Sequence, residues 1–127
     1  MARKDVSLSD LQLAVMRALW QADKATTAEV HERVGKPRQL AYTTVATMLT
    51  RLEKRGLVKS LKDQNERVFR AIVTESDVTR SMVSSLVDTL FRGDPSALVS
   101  HLVKEKDLDK DDLDAVRKLM AKEAKKP

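Results

Sequence analysis

The chain has 127 residues, enough for one domain or for one small domain with an appendage. Charged residues make up 34% and aromatics 3%, with three glycines, a balance that disfavours a β-sandwich or barrel and favours a mainly helical chain. With no cysteine there is no disulfide, thiolate nucleophile or thiolate metal site. No apolar run approaches the roughly 18 residues of a membrane span and no secretory h-region stands at the start, so the chain reads as soluble and cytoplasmic, without membrane insertion.

Ser9 and Gln12 have the spacing of a capping box, and Leu11, Val15, Ala18, Leu19 and Ala22 recur at helical steps. A first helix is therefore predicted to run to about Ala22. Thr26 and Glu29 repeat the capping spacing for a short second helix with Val30 and Val34 inward, and Gly35 is placed to end it in the left-handed conformation. A third helix spans about Ala41 to Arg55. Its apolar stripe is Val45, Met48, Leu49 and Leu52, and Gly56 stops it. Opposite that stripe lie Thr43, Thr44, Thr47 and Arg51. Threonine is a mediocre helix former because its β-branch restricts χ1, so something other than folding selects those hydroxyls.

Two β-prone runs follow, Leu57–Lys62 and Arg67–Val73, joined by Asp63-Gln64-Asn65-Glu66 as a hairpin with a polar tip. Thr74 and Asp77 open a long fourth helix, Gly93-Asp94-Pro95 breaks it and starts a fifth, and a sixth spans about Lys110 to Glu123. The charged tail Lys122–Pro127 is expected to fray. Three helices and a two-stranded wing make a winged helix-turn-helix domain, assigned to residues 1–73, with residues 74–127 as a helical dimerisation domain. The fold class is thus mainly α. The later helices carry wide apolar stripes, Val78, Met82, Leu86 and Leu90, then Leu98 and Leu102, then Leu113, Val116 and Met120. Three short helices form a poor core alone and commonly bury such surplus against a second copy of themselves.

The net charge of +5 is unevenly spread. Residues 36–70 hold nine basic side chains against three acidic ones, and the flanking segments are close to neutral. Such a block is the footprint of a surface for a polyanion, the alternative being a solvated face that serves solubility. An α-helix fits the major groove, where Thr hydroxyls reach base edges and Thr methyls the thymine methyl. Arg51 and Lys54 follow for phosphate or guanine, Tyr42 for phosphate, and Lys62 and Arg67 flank the hairpin tip for the backbone or minor groove. Double-stranded DNA is the partner this points to. A winged-helix protein adaptor and a sequence-indifferent architectural DNA protein are the competing readings.

No enzyme and no cofactor are expected. His31 and His101 lack any motif, and there is no glycine-rich phosphate loop or G-x-S-x-G. His31 is read onto the surface of the second helix, His101 beside the stripe of the fifth, and Trp20 into the core. Asp107, Asp109 and Asp111 imitate the start of a calcium loop, but Asp112 replaces its glycine and Lys118 its bidentate glutamate. They are read as helix capping, and no metal site is expected.

The stretches Leu11–Trp20 (LQLAVMRALW), Thr27–Val30, Ala41–Leu57 (AYTTVATMLTRLEKRGL) and Arg67-Val68-Phe69 together resemble the penicillinase-repressor (BlaI/MecI) family of winged helix-turn-helix transcriptional regulators. The resemblance implies a homodimeric repressor on a near-palindromic operator, with Thr43, Thr44, Thr47 and Arg51 at the groove-reading positions. It points to genes of β-lactam resistance or cell-envelope stress as the controlled class. It also implies a membrane sensor protease as partner, whose cleavage region falls near Ser100 and His101, where the family's Asn-Phe bond is replaced. Copper-responsive relatives use a cysteine metal site that this chain lacks.

Overall fold

The computed structural model describes residues 6–125. Helix starts follow the capping side chains. Helix α1 (Asp10–Ala22) begins at Ser9, whose hydroxyl accepts from the Gln12 amide while Gln12 returns a bond to the Ser9 amide. Thr26 and Glu29 do the same for α2 (Thr27–Val30). Thr74 caps α4 (Glu75–Phe91), Asp94 caps α5 (Pro95–Lys104), and Asp109 with Asp112 caps α6 (Lys110–Ala124). Helix α3 (Tyr42–Lys54) starts at Ala41 without a side-chain cap. Helix α6 runs to Ala124, into the tail expected to fray; Lys126 and Pro127 lie outside the described residues.

Gly35 does not end the second helix in the left-handed conformation. Its φ of −75° is helical, and the chain continues past α2 as a π turn, His31–Gly35, and a 3₁₀ turn, Lys36–Arg38. Gln39, at φ 56°, makes the left-handed stop. Gly35 is there for closeness, since it is buried where His31 and Val45 leave no room for a side chain. His31 likewise leaves the surface position expected for it. Its ring is half-buried, Nε2 donates to the Leu40 carbonyl at 2.8 Å, and Tyr42 meets it edge-on. It clamps the second helix to the start of the third.

Strands β2 (Val58–Asp63) and β3 (Glu66–Ala71) form the expected hairpin, with Gln64 and Asn65 at positive φ in a tight turn of matching twist. A further strand, β1 (Ala25–Thr26), pairs antiparallel with the other edge of β3, opposite Phe69 and Val68. The sheet is therefore three-stranded, in the order β1-β3-β2, where the sequence suggested two strands. Gly56, at φ 77°, turns the chain from α3 into it.

The chain divides into two compact units, one running to Val83 and one from Ser84. The first has a continuous core of Val15, Met16, Leu19, Val30, Val45, Leu49, Leu52, Leu57 and Phe69, each nearly or fully buried. Trp20 packs against it and donates its indole N–H to the Val73 carbonyl at 2.9 Å. The start of α4 belongs to this core. Val78 is 1% exposed, Met82 packs beside it, and Ser81 accepts from the Val6 amide. Val78 is thus spent inside the first unit and not on the dimer contact expected from the sequence, while Met82 is half-buried against the same core. In the second unit no described residue is buried.

Candidate nucleic-acid interface

Burial of Val45, Leu49 and Leu52 turns the opposite face of α3 outward. Thr43, Thr44, Thr47 and Arg51, with half-buried Met48, line one shallow depression on that face. The threonines here differ from those elsewhere in the chain. Thr26 and Thr74 cap helices and Thr50 bonds back to the Ala46 carbonyl, whereas the hydroxyls of Thr43, Thr44 and Thr47 bond nothing among the described residues. A second depression, lined by Thr26, Thr27, Ala28, Tyr42, Ala46, Glu66 and Arg67, lies between α2, the start of α3 and the hairpin. Tyr42 is 50% exposed at its edge.

The nine cations of residues 36–70 fall into two groups. Lys36 pairs with Glu32, Arg67 with Glu53 and Arg70 with Asp23, while Arg38 and Arg55 donate to the carbonyls of Val34 and Ser7. Arg51, Lys54, Lys59 and Lys62 are exposed and make no ion pair among the described residues. Arg51 shares the depression with the free hydroxyls, Lys54 lies further along α3, and Lys59 and Lys62 are on β2. Lys59 was missed from the sequence, although strand alternation puts it outward with Leu61 and Asp63.

Arg67, expected from the sequence beside the hairpin tip as a contact to the DNA backbone or minor groove, stands there paired with Lys62 and is engaged within the protein. It donates to Glu53 at 3.0 Å and lies over the Phe69 ring, 4.8 Å from its centroid. Glu53 itself, not singled out from sequence, accepts from the amide and hydroxyl of Ser60. Those Ser60 bonds, and then the Arg67 charge, hold its carboxyl below the usual glutamate range.

In the second unit the exposed apolar side chains are Leu86 and Leu90 on α4, Val99 and Val103 on α5, and Val116, Leu119 and Met120 on α6. Leu98, Leu102 and Leu113 are half-buried. Val99, Val103 and Leu119 extend the expected set. Ser100 and His101 are exposed in the middle of α5, His101 against the Phe91 ring. No described helix is long and apolar enough to cross a membrane.

Comparison with known proteins agrees with this architecture. The profile of the penicillinase repressor family matches residues 8–122. The chain is 34% identical over 116 residues to the transcriptional regulator BlaI of Mycobacterium tuberculosis, covering 90% of this chain and 83% of that one. It is 25% identical to the penicillinase repressor of Staphylococcus aureus over 126 residues, 99% of this chain and all (100%) of the other. The solution structure of the monomeric form of Bacillus licheniformis BlaI in complex with the blaP half-operator is 32% identical, at a TM-score of 0.52, over 58% of this chain and 90% of that one. A profile match that runs from the first helix into the last, on a winged-helix scaffold, places the chain in the penicillinase repressor family, whose members are transcriptional repressors and not enzymes.

Proposed function

We propose that this protein represses transcription in the cytoplasm by binding operator DNA as a homodimer, with one α3 from each copy in successive major grooves of a near-palindromic site. The observation that carries this is the face of α3. Three threonine hydroxyls without an internal partner stand beside Arg51, Lys54 follows three residues on along α3, and Lys59 and Lys62 are exposed and unpaired on β2. Hydroxyls and a guanidinium are the groups that read base edges in the major groove, and free lysines neutralise phosphates. The half-operator bound by Bacillus licheniformis BlaI supports the same use of the fold here. Residues 1–73 carry the DNA-binding role in this reading.

The second unit supports dimerisation. Its helices bury no described side chain completely, and Leu90, Leu119 and Met120 are each 60% exposed or more. A patch of that kind is costly in water and is relieved by a second copy. Genes of β-lactam resistance, by analogy with the relatives' names, or of cell-envelope stress are the proposed targets. Release by a membrane sensor protease at Ser100–His101 requires α5 to open locally, because both residues are helical.

The test is fluorescence-anisotropy binding of the full chain to duplexes tiled from the region upstream of its own gene, against a scrambled duplex, at two salt concentrations. Tight, salt-sensitive binding to one tile above the scrambled control supports a sequence-reading repressor. Equal binding to every tile turns the reading toward an architectural protein, and no binding at low salt toward a protein adaptor.

A further inference from the structure

Glu53 is out of keeping with its surroundings. It is the sole acidic residue of α3 and sits in the last turn, where the helix dipole favours cations, beside Arg51, Lys54 and Arg55. A carboxylate there also repels the phosphates that the rest of the surface is built to attract. Its partners explain its presence. One oxygen, Oε2, accepts from the Ser60 amide at 3.0 Å and from the Ser60 hydroxyl; the other, Oε1, accepts from Arg67 Nη2 at 3.0 Å. Arg67 also donates to Ser60 Oγ at 3.4 Å.

One side chain therefore joins α3 to both hairpin strands. The register pairs Ser60 with Phe69 and Lys62 with Arg67, so all four lie on one face of the hairpin. Phe69, 2% exposed, fixes that face to the core, and the Arg67 guanidinium lies over its ring. The opposite face has its own tethers, Lys24 pairing with Asp63 beside the turn and Asp23 with Arg70 nearer the base of the hairpin. Beyond Val68 and Phe69, where β1 pairs with it, the hairpin is two-stranded and only marginally stable by itself, so these ties steady its distal half against α3.

We propose that Glu53 is a positioning residue for DNA recognition, which locks the hairpin to the end of α3 through Ser60 and Arg67 and keeps Arg67 from reaching phosphates. This rests on the operator-binding reading above. It gives up some affinity for all DNA so that α3 and the wing meet the operator as one rigid unit. Arg67 acts as a strut of the wing, and Lys62, unpaired on the same face, is the hairpin's phosphate ligand.

The experiment measures operator and scrambled-duplex affinity for the full-length wild type, Glu53→Gln, Glu53→Asp and Ser60→Ala, with amide exchange of the hairpin in the free proteins. Glu53→Gln frees Arg67 and removes a negative charge. Binding to scrambled DNA should tighten, its salt slope should steepen by about one, and the operator-to-scrambled ratio should fall about three- to fivefold. Glu53→Asp keeps the charge but is one methylene too short to span both partners. Its ratio should fall in the same way, with faster exchange at Ser60 and Lys62. A normal ratio in Glu53→Asp beside a reduced one in Glu53→Gln means that charge repulsion alone is at work, and overturns the proposal, as does a wild-type ratio in Glu53→Gln. Should the Glu53 variants fail to fold, Ser60→Ala, which keeps the amide bond, must still lower the ratio. A wild type with no operator preference overturns the operator-binding reading as well, whereas an unchanged ratio in a wild type that does discriminate overturns this proposal alone.

Discussion

Replacing Gly35 by alanine sets two effects of known size against each other. The backbone at Gly35 is helical, φ −75° and ψ −50°, so helix propensity alone favours alanine by about 1 kcal/mol. Against that, the new Cβ would stand 2.4 Å from His31 Cδ2 and 3.1 Å from Val45 Cγ2, well inside the roughly 3.5–4.0 Å of a carbon–carbon contact. The imidazole cannot simply swing away, because Nε2 holds the Leu40 carbonyl and Tyr42 abuts the ring. Moving it forfeits a hydrogen bond worth about 1 kcal/mol, and leaving it in place overpacks the turn by about 1–3 kcal/mol. With the edge-on Tyr42 contact, worth about 0.5–1.5 kcal/mol, added to the hydrogen bond, either route costs more than the propensity gain, and Gly35→Ala should destabilise the first unit by about 0.5–2 kcal/mol.

Urea unfolding followed by the fluorescence of Trp20, the chain's one tryptophan, reads this unit, since that ring packs on its core. The midpoint should drop, with a thermal shift of about 2–10 °C for a domain of this size. In a His31→Ala background the space is free, so the same glycine change should become neutral or stabilising. A Gly35→Ala protein as stable as the wild type would refute the close-packing argument and leave Gly35 as an ordinary helix residue.

Three other outcomes follow from the same structure. Thr47→Ala and Arg51→Ala should each weaken operator binding by about 1–3 kcal/mol in anisotropy titrations, and scrambled-duplex binding less, most clearly for Thr47; wild-type operator affinity in both would mean that α3 is not the reading helix. Charged residues at Leu86 and Leu90 should give monomers by sedimentation, with much weaker operator binding; an intact dimer places the interface elsewhere. Glu53 is held below the usual carboxylate range by Ser60, Glu29 by Thr26 and Asp94 by Ser96. A carboxylate whose pKa is lower folded than unfolded contributes stability that is complete above the unfolded value and lost as pH falls through the folded one. Stability by circular dichroism should therefore be level near neutrality and decline below about pH 4, and a maximum in that acid range would contradict these bonds.

The amino-acid sequence determined what depends on neighbours within one helical turn. Ser9 with Gln12, Thr26 with Glu29, Asp94 before Pro95 and Asp109 with Asp112 set helix starts because a cap needs only the amides two or three residues on. The stripe of Val45, Leu49 and Leu52 fixed which face of α3 is buried and hence that Thr43, Thr44, Thr47 and Arg51 point outward. Tertiary structure decided the rest, in each case through partners far apart in the chain. Strand β1 has two residues and no pattern of its own; it exists because Ala25 and Thr26 meet Phe69 and Val68. Gly35 looks like a helix stop until His31 and Val45 close around it, and a stop is a local signal whereas crowding is not. Val78 and Met82 read as part of one stripe with Leu86 and Leu90, and only packing assigns the first pair to the core of the first unit. Arg67 reads as a free cation because charge alone cannot show that Glu53, fourteen residues earlier, has already taken it.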